Sequence, residues 1–535
     1  MTTITFRDAL SVLSKSSPFS VKTMSTRTPD GFDALKDWLY IEQDIEKDLR
    51  ARLAQAQPGD MLFLCGSSGD GKSEILTRVY QEYEGSVKFH LDATHSFQPN
   101  QSAIEALDHV FRTAIAEQQI LVVGINIGMI GNYVQEGHAD LRPVREAMRA
   151  FLEDAVPAAP YHFFNFEDYP KFRMENGVVV APFAKDIMRR LTDARPENPF
   201  YTAFSRDCVA HDEPLFANFR LLMLDGVQDV IIANIAKARL VKDQFVTARG
   251  LLDLLHHLLT GPGYLFDNLF AGSDNELAAR LTAFDPALLR TRELDQLALR
   301  YELGLPEEER DAFLAELETW NIRLASGDKR TAVPLVRLFY VLQHEQVGNN
   351  YHHRFAQEFK DQVTGDYAEV WKMHTQFNGN QEARIALQKF YKRVLMAGIF
   401  RYANRNAPEL RPDEILLGEY QDVKIAASAE LKPDYAVIQQ LASKTPIAFF
   451  NVALKVGDEA LEPMPFNINL FGLLLRLNQG YRPNKYDKNA IVLLDELVEH
   501  IKAVVKRGNR LKLYRHQQHI SLTYDDGAID SDGEM

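Results

Sequence analysis

The chain has 535 residues, 46% of them hydrophobic and 25% charged, which exceeds one ordinary domain and describes a globular protein with several cores. Two cysteines, Cys65 and Cys208, exclude a disulfide framework and a cysteine-based zinc cluster and point to a reducing, cytoplasmic setting. A formal net charge of −14 excludes a protein that coats nucleic acid over its whole surface, because non-specific affinity comes from neutralising phosphates.

The N-terminus "MTTITFRDAL" lacks the basic-then-apolar order of a secretory signal. Residues 1–55 read as an N-terminal helical segment, with "SSPFSVKTMSTRTPDGF" (16–32) a loop and "DALKDWLYIEQDIEKDLRARLAQ" (33–55) one amphipathic helix. "QPGD" breaks the chain before the strand "MLFLC" (61–65). Helix "KSEILTRVYQEY" (72–83), strand "VKFHLDAT" (87–94) and helix "QSAIEALDHVFRTAIAEQ" (101–118) follow. Next come strand "ILVVGIN" (120–126), helix "LRPVREAMRAFLEDA" (141–155) and strand "YHFFNFEDYP" (161–170). This alternation predicts an α/β core over 56–182, a parallel sheet covered on both faces. The longest apolar-looking stretch, "ILVVGINIGMIG", is interrupted by Asn126 and far short of the ~20 residues of a membrane helix, so no membrane partner is expected.

From 183 to 325 only helices are predicted, among them "FAKDIMRRLTD", "PLFANFRLLMLDGVQDVIIANIAKARL" and "FVTARGLLDLLHHLLTG", forming a helical lid and connecting helices. "ASGDKR" (325–330) marks a boundary. Residues 326–535 mix helices such as 380–403 and 483–505 with the strands "YQDVKIAASAEL" (420–431) and "LKLYRHQQHISLTYDD" (511–526), predicting a C-terminal α+β interaction domain.

Between the first strand and its helix lies "GSSGDGKS" (66–73), which fits the phosphate-loop pattern G-x-x-x-x-G-K-[ST]. Gly66, Gly69 and Gly71 let the backbone turn tightly, so that the amides of Ser67, Ser68, Gly69, Asp70 and Gly71 form an anion nest. The helix beginning near Lys72 adds its partial positive charge at the same place. Lys72 reaches the β- and γ-phosphates, the Ser73 hydroxyl ligates Mg²⁺, and Glu74 closes the loop. The expected ligands are ATP and Mg²⁺. Asp70 adds negative charge near phosphate unless its side chain points outward.

Hydrolysis also needs a carboxylate to hold or polarise Mg²⁺ and water. Asp92, ending "VKFHLD", is the first candidate for that catalytic and metal role; its other reading is a strand-end turn residue introducing "ATHSFQPN". Glu167 and Asp168, ending "HFFNFED", come second. Asp225 in "LLMLD" imitates a strand-end acid, but Phe216, Phe219, Met223, Val227 and Val230 recur at helical spacing and place it on a helix.

Segment order and strand-end residues over 58–260 resemble an AAA-type P-loop ATPase. The resemblance implies a parallel-sheet core with a helical lid, a γ-phosphate sensor at Asn126 on a strand beside the loop, and a nucleotide-touching lid arginine at Arg249 in "TARGLLDLL". From the residues alone, Asn126 equally ends a strand before an "IGMIGN" turn, and Arg249 equally pairs with Asp253 at i+4. Arg142, Arg145 and Arg149 lie where AAA oligomers carry a trans-acting arginine, yet their spacing reads first as a solvated basic face. The family's strand ending in Asp-Glu has no counterpart here. More finely, "FLCGSSGDGKSEIL", "HLDATHSFQPNQSAIEAL", "VVGINIGMIGNY", "FFNFEDYPKF" and "GYRPNKYDKNAIVLLDELVEHI" resemble the DptF (DndF) family. These are ATPase components of DNA phosphorothioation-dependent restriction systems. This implies a role in bacterial antiviral defence with sister subunits, acting on DNA directly or through partners, and allows a homo-oligomer.

His256-His257, His352-His353 and His374 have no companion Cys or acid cluster at metal-ligand spacing. No nucleophile elbow or nuclease pattern occurs, so any cutting of DNA is expected from another subunit. Basic residues gather over 500–519, which reads first as a solvated helix and strand and second as a DNA-binding adaptor surface. Basic and aromatic residues interleave at 398–406, 480–488 and 511–519, a mixture that suits either core tyrosines beside solvated arginines or stacking on unpaired bases.

Overall fold

A computed structural model of the protein describes residues 4–14, 31–93, 101–175, 178–209, 213–442, 448–515 and 518–533. Most of the expected loop 16–32 and of "ATHSFQPN" lies outside them. The chain divides into two compact units: Met1–Phe172, Ala181–Ala238 and Gln244–Phe359 form the first, and Arg173–Val180, Arg239–Asp243 and Lys360–Met535 the second.

The first unit opens with the helices α1 (Phe6–Leu10) and α2 (Gly31–Leu39) and is built on β1 (Met61–Cys65), β2 (Lys88–His90), β3 (Leu121–Ile125) and β4 (Tyr161–Asn165), a parallel sheet in the order β2-β3-β1-β4. Met61 stands opposite Leu121 on one side and Tyr161 on the other. Every residue of β1 and β3 is buried, as central parallel strands require. Strand periodicity then sorts their side chains between two layers. Phe63, Val123 and Ile125 face α5 (Ala103–Ala116), α6 (Ile127–Glu136) and α7 (Arg142–Leu152) through Phe111, Tyr133 and Met148. Leu62, Leu64 and Val122 face α3 (Asp44–Leu53) and α4 (Lys72–Tyr83).

The 1–55 segment is therefore no separate body, because Ile45, Leu49 and Leu53 of α3 lie at i, i+4 and i+8 and cover one face of the sheet. Its single expected helix is two. The helix Gly31–Leu39 stops, and Arg190 takes over its exit by donating to the carbonyls of Trp38 and Tyr40 while accepting from the Trp38 indole at 2.8 Å. Arg78 of α4 covers the Tyr40 ring at 3.6 Å. The expected turn at 127–132 is the start of α6, because the Asn126 side chain caps it. Similarly, 214–240 breaks at Met223–Leu224, where Gln228 donates to the Leu222 carbonyl at 2.9 Å.

The helical run of the first unit continues to Tyr351–Phe359, past the boundary expected near 325, since Ala332–Val341 buries Leu335, Leu338 and Phe339. The second unit holds a five-stranded antiparallel sheet in the spatial order Ala528–Ser531, Gln518–Asp525, Arg510–Arg515, Val423–Ser428, Glu414–Tyr420. Beside it a core of Phe390, Phe450, Phe466 and Phe471 surrounds His374 and Tyr391. The expected helix 380–403 is continuous but widens into a π stretch at Tyr391–Met396. Among the described residues no helix is long and apolar enough to cross a membrane.

Candidate functional site

β1 delivers residues 66–73 to the carboxyl end of the sheet, where ligands of open α/β sheets sit. Gly69 and Gly71 have φ of +87° and +104°, which a side chain would strain. Gly71 is the residue before α4, and no side chain caps that helix. Among the described residues the amides of Ser68, Gly69, Gly71, Lys72, Ser73 and Glu74 have no acceptor. The loop therefore presents a run of open N–H donors with a helix start behind them.

The Lys72 ammonium donates to the carbonyls of Gly66 at 3.0 Å and Ser67 at 2.8 Å. Burial pushes its pKa below the ordinary lysine value, while the nearby carboxylates of Asp70 and Asp92 oppose that shift. Asp70 does not point outward. It is only 1% exposed, accepts the Ser67 amide at 2.7 Å and pairs with Lys171 at 2.9 Å. The expected cradle is corrected accordingly: the Ser67 amide is taken by Asp70, and the Gly66 amide donates to the Ile125 carbonyl at 3.3 Å. Gly66, Ser67 and Asp70 shape the loop from behind, and the cavity is lined by Ser68, Gly69, Gly71, Lys72, Ser73 and Glu74.

That cavity has a volume of about 430 Å³ and also gathers Asp92, Asn126 and Arg249. Asp92 follows β2, one strand beyond β3. Asn126 follows β3, the strand directly beside β1, and its Oδ1 accepts the Met129 amide at 2.7 Å. Arg249 is the second residue of the helix Ala248–Thr260, whose N-cap Thr247 accepts from Gly250 at 3.0 Å. The Arg249 amide donates to the Gly69 carbonyl at 3.1 Å and joins that helix to the loop. Among the described residues its guanidinium makes no ion pair, and Asp253 accepts instead from the Asn275 amide at 2.9 Å. Glu74 is held by Arg78 at 2.8 Å, so it offers the cavity an amide rather than a carboxylate.

The remaining candidates lie elsewhere. Glu167 and Asp168 form a turn after β4 outside the cavity lining, and burial raises the Asp168 pKa. Asp225 opens the helix Asp225–Lys242 and faces Lys185 at 3.3 Å. Arg142 pairs with Glu146 at 2.6 Å, whereas Arg145 donates to the Val134 carbonyl at 2.8 Å and closes the end of α6. His257, His352, His353 and His374 each have a ring nitrogen within 2.7–3.0 Å of a backbone carbonyl. Among the described residues there is no group of three or more His, Cys, Asp or Glu placed to hold a metal. In the basic 500–519 stretch, Lys502, Arg507, Lys512 and Arg515 are paired with Glu499, Glu459, Glu414 and Asp422 at 2.5–2.9 Å.

Sequence reasoning missed the apolar part of the cavity lining, to which Val12, Leu13, Leu39, Ile41, Phe183 and Leu252 belong. Those residues read as ordinary helix core, and only the fold brings them to one place. It also missed Lys171, for which "DYPKF" carries no signal; Thr247 was legible as a helix cap. No family model, curated protein or solved structure matches the chain.

Proposed function

We propose that the protein binds ATP with Mg²⁺ in this cavity and hydrolyses it. The observation that carries the reading is the make-up of the cavity: open amides, Lys72 and Arg249 line it together with the apolar residues Leu39, Ile41, Phe183 and Leu252. Such a mixture suits a polyphosphate joined to a base, and the volume falls within the ~300–1,000 Å³ of small-molecule sites. The Lys72 ammonium, which donates to two loop carbonyls, exchanges them for β- and γ-phosphate oxygens. The Ser73 hydroxyl and Asp92 carboxylate would hold Mg²⁺, with phosphates and water completing a shell that the protein does not supply alone. The bound ion would neutralise charge on the transferring phosphoryl group. Asn126 keeps its Nδ2 for the γ-phosphate side because the helix cap uses only its Oδ1.

A nucleotide-dependent switch with little turnover, recruiting partner subunits, is the second reading. It is favoured by one observation: among the described residues that line the cavity the carboxylates are Glu74 and Asp92, and Glu74 is held by Arg78. Membership of a phosphorothioation-dependent restriction complex, with sister subunits and DNA, is proposed on the sequence resemblance alone.

Nucleotide binding and phosphate release by the wild type, Lys72→Ala and Asp92→Asn test the proposal. Lys72→Ala should weaken binding about 10- to 100-fold and lose release; Asp92→Asn should keep binding and lose release. Release unchanged by Lys72→Ala removes the hydrolysis reading, and tight binding without wild-type release leaves the switch.

A further inference from the structure

The interleaved stretches 398–406 and 480–488 take no part in the nucleotide cavity. Within the second unit they form two sides of one cleft of about 810 Å³. Of their tyrosines, Tyr402 and Tyr481 are structural, the Tyr402 hydroxyl donating to Asp495 at 2.7 Å and the Tyr481 hydroxyl to Asp487 at 2.8 Å, while the exposed Tyr486 is outside the cleft lining. Their arginines behave differently. Arg401, Arg405 and Arg482, joined by Arg411, line the cleft with exposed side chains, and among the described residues no Asp or Glu lines it.

Among the described residues none of these four arginines pairs with a carboxylate. Arg405 donates to the Tyr402 carbonyl at 2.9 Å and lies over its ring at 4.3 Å, and Arg411 reaches His519 at 3.3 Å. The acids nearby are engaged with other cations: Glu409 with Lys424 at 2.7 Å, Asp487 with Arg476 at 2.6 Å and Glu414 with Lys512 at 2.6 Å. A chain of net charge −14 thus keeps four uncompensated guanidinium groups around one concavity, where they raise the local concentration of anions. Phe400, Leu410 and Ile491, all half-buried, give the same cleft an apolar lining.

We propose that this cleft binds a short segment of single-stranded nucleic acid. Planar guanidinium forks match the paired oxygens of successive phosphates, and the apolar lining takes the face of an unpaired base. A duplex offers the same phosphates but keeps its bases stacked inside, so it cannot use Phe400 and Ile491. An acidic peptide supplies carboxylates without the planar apolar group.

The test is fluorescence anisotropy of the full chain with a labelled oligothymidylate of about 10 nucleotides, against a duplex and a polyglutamate peptide of equal length. The single strand should bind tightest, with log K falling against log salt at a slope of about −2 to −3 for four phosphate contacts. Arg401→Glu/Arg482→Glu should weaken binding at least about tenfold with an unchanged melting temperature. The pair Arg401→Gln/Arg482→Gln, with smaller loss in the same direction, serves if charge reversal disturbs folding. Arg507→Glu, outside the cleft, should leave binding unchanged. Equal or tighter binding of duplex or peptide, a flat salt dependence, no binding, or full binding by a folded cleft variant would each overturn the assignment.

Discussion

Two concave regions of this protein are made of different material. In the first unit the phosphate-loop side of the cavity consists largely of main-chain amides that Gly69 and Gly71 orient, and its few charges are cross-connected: Lys72 feels Asp70 and Asp92, and Lys171 closes on Asp70. In the second unit the cleft's charge comes from four separate arginine side chains, with no acid among the described residues that line it. A site built of backbone demands specific backbone conformations, so it leaves a compact motif in the sequence. A site built of side chains from distant segments leaves only scattered residues that the fold has to collect.

The contrast can be broken in several ways, beginning with the largest effect. Lys171→Met should destabilise the first unit by about 3–5 kcal/mol in urea unfolding, because it strips the buried Asp70 of its cation. Lys171→Arg should restore most of that. An effect below about 1 kcal/mol would mean that Lys72 alone suffices for Asp70.

A smaller effect separates the units by pH. In the second unit burial lowers the His374 pKa to about 4, against an ordinary value near 6.5. A depressed histidine binds its proton more readily when unfolded, so its contribution is fully present above pH ~6.5, is lost as pH falls to ~4, and amounts to about 3 kcal/mol. His374→Gln should flatten that part of the melting profile. His352 is lowered to about 4 by the same cause in the first unit, so its part of the slope should survive His374→Gln.

Gly69→Ala comes next. At φ +87° an alanine costs roughly 1–2 kcal/mol, and its Cβ would lie 3.2 Å from Cβ of Arg249. Thermal melting should show that modest loss, with nucleotide affinity falling further than stability. Least of all, Arg142→Ala should change stability by under about 0.5 kcal/mol, since its pair with Glu146 is solvent-exposed.

What could be read in advance follows the same division. β1, the 66–73 loop and α4 stand where apolar run, glycines and helix periodicity put them. Asp92, Asn126 and Arg249 are separate candidates in the sequence, and the fold brings them to one cavity. The break between Leu39 and Asp44 carries no glycine or proline, because its cause is Arg190, far along the chain. The inward turn of Asp70 depends on Lys171, and the convergence of Arg401, Arg405, Arg411 and Arg482 on the meeting of two segments. Long-range partners of this kind have no local signature.

Calorimetric titration of the full chain with MgATP, beside Lys72→Ala, tests most directly whether the 66–73 backbone holds a polyphosphate. One saturable site is predicted, weakened about 10- to 100-fold when the ammonium is removed, as befits a charge-assisted contact. A folded protein that takes up no nucleotide at millimolar concentration, or binds it equally well without Lys72, would contradict the account.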